Sequence, residues 1–163
     1  MIPNELIIRE ISAKDNTEIA QIIRVVLVEF GAPKTGTAYE DSATDTMFET
    51  YQKPASAYFV IEQDNAIIGG CGFAQLENTT EKICELQKMY FLPIARGKGL
   101  GSKLITKCLQ KAKEFGFENC YLETMPYMGA ARNLYAKNGF INLDKPLGNT
   151  GHYSCNVWML KKL

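Results

Sequence analysis

The 163-residue chain lacks the features that mark several common classes of protein. It has one histidine and five cysteines with no C-x-x-C spacing, which argues against a zinc site and against a disulfide framework. Its beginning, MIPNELIIREI, has no basic segment followed by an apolar one, so we expect no signal peptide. The most apolar helical stretch, IAQIIRVVLVEF, is too short to span a bilayer. We therefore expect a cytoplasmic protein with reduced thiols, no bound metal and no membrane partner.

Two widespread phosphate-binding motifs are also missing. No stretch fits G-x-x-x-x-G-K-[ST], and the dinucleotide pattern G-x-G-x-x-G fails because Ser102 stands where the third glycine should be. The net charge is zero and the pI is about 6.6, and no aromatic stacking motif accompanies the lysines of residues 96–113. We therefore expect no nucleic-acid partner.

What the sequence does have is a glycine-rich loop, ARGKGLGSKL, at residues 95–104. An apolar strand pattern precedes the loop and a helical pattern follows it. Glycines let a backbone turn its N–H groups toward a ligand, and the start of a helix adds unpaired N–H groups and the positive end of the helix dipole. The loop is therefore predicted to bind an anion, and a phosphate group fits this placement best.

Hydrophobic periodicity predicts seven strands and four helices in one domain spanning residues 1–163. We expect strands near residues 5–11, 57–63, 66–75, 84–92, 118–124, 140–143 and 155–163. Helices are expected near 41–51, 99–115 and 129–138, with an earlier one ending near Glu29. Consecutive strands followed by alternating helices and strands favour an α/β fold, with one mixed sheet and helices on both faces.

Two segments of the chain resemble the GNAT superfamily of N-acetyltransferases. ELQKMYFLPIARGKGLGSKL is similar to the family's acetyl-CoA-binding segment, and YLETMPYMGAARNLYAKNGF resembles its later strand and the helix that carries A-x-x-L-Y-x-x-x-G-F. The match runs from about residue 57 to 142. The resemblance implies an α/β (α+β) fold with a mostly antiparallel sheet of six to seven strands and a splayed central strand pair.

The resemblance also implies acetyl-CoA as co-substrate and a set of residues that bind it. The strand of Met89, Tyr90 and Phe91 would pair with the pantetheine arm as an added strand would. Asn133 would contact the pantetheine or phosphate region. The coenzyme pyrophosphate would lie on the backbone N–H groups of Arg96, Gly97, Lys98, Gly99, Leu100, Gly101 and Ser102.

Acetyl transfer to an amine needs a base for the ammonium, a donor for the carbonyl oxygen and a proton for the leaving thiolate. The resemblance implies that Tyr135 donates the proton to sulfur. The alternative, from the helical pattern alone, is that Tyr135 only packs on the sheet. Glu85 is the candidate base, with a structural hydrogen bond as the alternative. Strand alternation would place Glu85, Gln87 and Met89 on one face if no bulge intervenes. A backbone N–H near Met89 would meet the carbonyl oxygen.

The acceptor side has weaker signals. His152 lies in the turn-rich loop GNTGHYSC and could move a proton near neutral pH, or it could be an exposed loop residue. Asp41, Asp45 and Glu49 fall at i, i+4, i+8 of the predicted second helix, where they could receive a cationic amine or form a solvated face.

The predicted function is transfer of an acetyl group from acetyl-CoA to a primary amine, by direct attack in a ternary complex. The alternative is a CoA-binding sensor or scaffold without transferase activity. A homodimer is compatible with either function.

Overall fold

Seven strands form one open sheet in the computed structural model, which describes residues 5–126 and 128–163. Their order across the sheet is β1-β2-β3-β4-β5-β7-β6, and only β4 and β5 run parallel. This confirms the predicted mixed, mostly antiparallel sheet. The strands are β1 (Leu6–Glu10), β2 (Ala57–Gln63), β3 (Ala66–Gln75), β4 (Ile83–Phe91), β5 (Asn119–Thr124), β6 (Ile141–Leu143) and β7 (Val157–Lys162).

Helices cover both faces of the sheet, as predicted, and the alternation of β2 shows how. Phe59 and Ile61 pack toward α3, while Tyr58 and Val60 pack toward α1. Each face therefore buries its own apolar cluster against its own helix layer. The helices are α1 (Asn16–Glu29), α2 (Met47–Thr50), α3 (Leu100–Glu114) and α4 (Gly129–Lys137).

The prediction of one helix over residues 41–51 is wrong. A short 3-10 turn, Ser42–Asp45, precedes α2, and Thr46 between them has a non-helical backbone (φ −129°, ψ 49°). The predicted acidic face is therefore absent, because its members point to different partners. The Asp45 carboxylate pairs with Arg24, at 2.5 and 2.9 Å.

The parallel strands β4 and β5 stay together for only three residue pairs, from Ile83 opposite Asn119 to Glu85 opposite Tyr121. β4 then continues to Phe91 and β5 to Thr124 without pairing to each other. The predicted splayed pair is thus confirmed. Beyond Glu85, the β5-facing edge of β4 is open.

A β-bulge lies in β4 just beyond this point. Gln87 is opposite Gly72 of β3 and Tyr90 is opposite Gly70, so β4 has one residue more than its partner between the two pairs. Lys88, inside the bulge, has a φ of 50°, which is rare for a residue with a side chain.

The bulge reverses the alternation of β4. Glu85 and Gln87 lie on the side of α1 and α2, but Met89 packs with the cluster under α3. The shared face was expected only if no bulge intervenes. Because a bulge does intervene, Glu85 and Gln87 share a face and Met89 does not.

Tyr58 of β2 stabilises the bulge in β4, although β3 lies between these two strands. Its hydroxyl donates a 2.7 Å hydrogen bond to the carbonyl oxygen of Lys88. Its ring lies against Gly70 and Gly72, where an added Cβ would come within 2.6 and 2.5 Å of ring atoms. Glycine is required at these positions because the tyrosine occupies the space that a side chain would fill. This explains the weak, glycine-rich sequence of β3.

Candidate active site

The glycine-rich loop presents free backbone donors. Gly97 and Gly99 both have a φ of 74°, and an added Cβ at either would meet no atom within 4 Å, so the need for glycine is conformational. Within the described residues, the N–H groups of residues 97–102 donate no hydrogen bond, and the first helical bond runs from Lys103 to Gly99. The amide of Arg96 differs, because it donates to the carbonyl of Pro93.

The side chain of Arg96 anchors this loop. Its guanidinium donates to the carbonyl oxygen of Phe91, at 3.1 and 2.8 Å, and to both carboxylate oxygens of Glu29, at 2.7 and 2.9 Å. The loop is thus tied to the end of β4 and to the end of α1. Glu29 was not among the predicted residues. A carboxylate in the last turn of a helix is unfavourable beside the negative end of the helix dipole, and this position could have indicated a cationic partner from another part of the chain.

An open cleft runs from this loop along the end of β4, with α4 as its other wall. We call it the glycine-loop cleft. It is lined by all the residues predicted to bind the coenzyme except Lys98 and Asn133, which are exposed. The helices meet closely here, since a Cβ on Gly101 would lie 2.6 Å from Leu134.

A second, smaller cavity lies in the gap between β4 and β5. We call it the carboxylate cavity because Glu85 and Glu123 both line it. Met89, Tyr90 and Met128 line both this cavity and the glycine-loop cleft. A molecule lying along β4 in the cleft would therefore end beside the carboxylates.

Glu85 is buried, with 6% of its surface exposed. Burial raises the pKa of its carboxyl to about 7, although the hydrogen bond from Gln87 works to lower it. That bond is 2.6 Å long, and the Gln87 amide is oriented by a 2.6 Å hydrogen bond from the Tyr51 hydroxyl. The carboxyl is therefore held in place and is poised to exchange a proton near neutral pH.

Tyr135 of α4 also lines the carboxylate cavity, as required of the predicted proton donor. Burial raises the pKa of its phenol well above the ordinary value, so the group keeps its proton. Its ring packs edge-on against Phe140, with centroids 6.1 Å apart. Within the described residues its hydroxyl has no hydrogen-bond partner, so the proton is available to a ligand.

Two loops, residues 31–41 and 144–156, meet over this cavity, and we call them the cover loops. Ser154 donates its N–H to Gly36 and its hydroxyl to Thr35, at 3.2 and 2.8 Å. His152 Nε2 lies 2.7 Å from Asp41 Oδ2. The structure thus brings together two of the predicted acceptor residues, His152 and Asp41. The third, Asp45, instead forms an ion pair with Arg24.

Asp41 also pairs with Lys88, whose Nζ lies 3.4 Å from the same Oδ2 atom. Burial works to lower the pKa of His152, but the hydrogen bond and charge of Asp41 outweigh it and raise that pKa above 6.5. Asp41 is affected in the opposite sense: burial opposes its charge, yet the two cations hold its pKa below the usual value.

Lys88 and Glu123 are the cavity residues that our sequence analysis missed. Glu123 accepts hydrogen bonds from the hydroxyls of Tyr121, at 2.7 Å, and Thr150. Neither residue carries a local signal, because each reaches the cavity through the bulge or the splay of its strand.

Free amides beside an open strand edge, leading to a buried carboxyl, define the site of a group-transfer enzyme that uses a phosphorylated carrier. Comparison with known proteins gives the family. A model of the acetyltransferase (GNAT) family matches residues 21–140. The chain is 42% identical to the uncharacterized N-acetyltransferase YjgM of Escherichia coli K12, over 99% of this chain and 97% of that protein. The chain therefore belongs to the GNAT family and is an N-acetyltransferase.

Solved structures share the fold. A GNAT-family acetyltransferase from Staphylococcus aureus Mu50 aligns with a TM-score of 0.84 at 20% identity, covering 97% of this chain and 99% of that one. YncA from Salmonella typhimurium, solved with acetyl-CoA, aligns with a TM-score of 0.77 at 18% identity, covering 98% and 94%.

Two further findings concern residues 5–126 and 128–163. No helix there is long and apolar enough to cross a membrane. No group of three or more His, Cys, Asp or Glu side chains in the same ranges is arranged to hold a metal ion.

The ion pair between the cover loops predicts a measurable titration. His152 is the chain's one histidine, so its ring resonances can be followed by NMR without assignment. We expect a pKa above the ordinary 6.5 in the native protein, and a pKa below 6.5 in Asp41→Asn, where burial and the nearby Lys88 act without the opposing carboxylate. Asp45→Asn is the matched control and should leave the titration unchanged. An identical pKa in the native protein and Asp41→Asn would contradict the pairing.

Proposed function

We propose that this N-acetyltransferase moves the acetyl group of acetyl-CoA directly onto a primary amine, with both substrates bound together. The observation that carries the proposal is that Glu85 and Tyr135 line one cavity, which shares a wall with the glycine-loop cleft. One pocket can then receive the coenzyme and the other the amine, with the reacting atoms meeting at the shared wall.

The cleft fits the coenzyme in charge and in shape. The free amides of residues 97–102 would hold the pyrophosphate at the start of α3. Met89, Tyr90 and Phe91 would offer their open backbone edge to the amides of the pantetheine arm. The Salmonella relative solved with acetyl-CoA supports this assignment. When bound, the coenzyme supplies an activated thioester.

Glu85 would act as the base. An ammonium must lose a proton before its nitrogen can attack, and free amines hold that proton up to a pH of roughly 10. A carboxyl with a pKa of about 7 is a better acceptor at neutral pH than an ordinary glutamate. A water molecule between the two groups would serve equally well.

Tyr135 would protonate the departing sulfur, and the backbone N–H of Met89 would meet the charge that develops on the carbonyl oxygen. In the overall step a carbon–nitrogen bond forms and the carbon–sulfur bond breaks. The ammonium loses two protons, the first to Glu85 and the second from its nitrogen once the new bond has formed, and both pass to solvent. Tyr135 gives its proton to the thiolate and takes one back from solvent, so one proton is released overall.

The alternative of a CoA-binding module without activity fits the site less well. Such a module has no use for a buried carboxyl with a raised pKa, since an unpaired acid in this position is costly to bury. Nor does it explain a tyrosine whose hydroxyl is left available to the cavity.

Removing the hydroxyl of Tyr135 should separate chemistry from binding. We expect Tyr135→Phe to lower kcat by about 10²-fold or more, because general acid catalysis is lost, while the Kd for CoA stays unchanged. Steady-state assays of released CoA thiol and calorimetric titration with CoA would measure the two effects. Tyr153→Phe is the matched control, since Tyr153 is 74% exposed, and it should behave as the native enzyme. Unchanged kcat in Tyr135→Phe would remove this role.

The carboxyl of Glu85 should set the acid limb of the pH profile. A base works only when deprotonated, so kcat/KM should fall as the pH drops through about 7, the pKa of Glu85. Glu85→Gln should lower kcat/KM and abolish that limb, leaving acetyl-CoA affinity intact. Glu114→Gln, an exposed change on α3, serves as the control for the loss of one carboxylate. A limb that persists unchanged in Glu85→Gln would assign the base to another group.

A further inference from the structure

We infer that the amine acceptor also carries a carboxylate, as a free amino acid does, and that Lys88 binds this carboxylate. The inference rests on the proposed function, because it assigns the contents of the same carboxylate cavity. Four observations support it: the burial and backbone conformation of Lys88, the charged groups next to it, the carboxyl groups that line the same cavity, and the loops that close over the cavity.

Lys88 is a buried cation held in an unusual backbone conformation. Its side chain is 8% exposed, it lines the cavity, and its φ is 50°. Burying a cation is costly, and a positive φ adds strain. The hydrogen bond from Tyr58 to the Lys88 carbonyl stabilises this conformation. Strain of this kind is concentrated at functional sites, which motivates asking what the ammonium binds.

The neighbours of Lys88 leave it short of negative charge. Its partner is Asp41, at 3.4 Å, but the same Oδ2 atom lies 2.7 Å from His152 Nε2. The contact with His152 is shorter, so it is the stronger of the two interactions with that oxygen. When His152 is protonated, two cations face one carboxylate, so this side of the cavity has an excess positive charge.

Two carboxyl groups that line the cavity, those of Glu85 and Glu123, lie beside neutral partners. Glu85 accepts its hydrogen bond from the neutral amide of Gln87, and Glu123 accepts from the neutral hydroxyls of Tyr121 and Thr150. Within the described residues neither carboxylate has an ion-pair partner. A substrate ammonium would supply the missing cation beside the proposed base.

A single molecule with an ammonium and a carboxylate would supply both missing partners, because its carboxylate would pair with Lys88 and its ammonium with the Glu85 side chain. The cavity is small and is lined by Glu85, Lys88 and His152, so groups of both charges face one confined space. The cover loops close over it through Ser154 and His152, which leaves the cavity suited to a free small molecule. A diamine would place a second cation against Lys88 and His152, and should be a poor substrate.

The native enzyme tests this with matched pairs of acceptors. Each standard L-amino acid is compared with its own carboxamide, at saturating acetyl-CoA, by release of CoA thiol. The carboxamide amine loses its proton more readily, so reactivity alone favours it. We expect the opposite order for the best acceptors, with kcat/KM roughly 10- to 100-fold higher for the carboxylate, as one charge-assisted hydrogen bond would give. Equal or better turnover of the carboxamides, or of diamines, overturns the inference.

Lys88→Met then tests the residue, since it removes the charge and keeps an unbranched side chain of similar length, so the cost of the positive φ is similar in both proteins. We expect it to lower kcat/KM far more for the carboxylate acceptor than for the carboxamide, with the KM for acetyl-CoA unchanged. Lys82→Met, at a side chain 69% exposed beside the start of β4, is the matched control. An equal loss for both acceptors would mean that Lys88 only supports the fold, and would overturn its assignment.

Different results would overturn the proposed function and this inference. If no amine of any kind releases CoA thiol, the proposed function fails and this inference fails with it. If amines without a carboxylate are the preferred acceptors, the proposed function stands and only the inference is overturned.

Discussion

The separation of β4 from β5 is the constraint on which the rest of the site depends. The two strands pair through Glu85 and then part, although both continue. An unpaired strand edge inside a fold is normally a liability, because its N–H and C=O groups need partners. Here the open edge forms one wall of a slot that leads from the glycine-rich loop to a buried carboxyl. The family's reaction needs such a slot, since a long coenzyme must deliver its thioester to an amine away from bulk water.

The bulge in β4 makes this separation useful. It turns Met89 away from the face of Glu85, so the strand presents different side chains to the cleft and to the cavity. It also places Lys88 against Asp41, which pairs in turn with His152. Tyr58, seated on the glycines of β3, supports the same turn. One local irregularity thus connects the packing of the sheet with the charge pattern of the cavity, and the Lys88–Asp41 pair joins it to one of the two cover loops.

Much of the fold could be predicted from the sequence, because the signals are local. The alternation of β2 and the glycine-rich loop before α3 depend on residues within one element. The helix over 41–51 was wrong because the break at Thr46 leaves no mark in the pattern of polar and apolar residues. The glycines of β3 do suggest a bulge or a close backbone approach, but they do not place the extra residue in β4, so the position of Lys88 could not be foreseen. Glu123 reaches the cavity only because the strands splay. Side chains placed by contacts distant in the sequence are those that sequence reasoning misses.

The most direct test of the central claim is a crystal structure with acetyl-CoA bound. The account predicts the pyrophosphate on the amides of residues 97–102, the pantetheine arm along the open edge of β4, and the thioester at the wall that Met89 shares between cleft and cavity. Difference density for the coenzyme elsewhere on the molecule, or β4 and β5 paired beyond Glu85 with the slot closed, would contradict it.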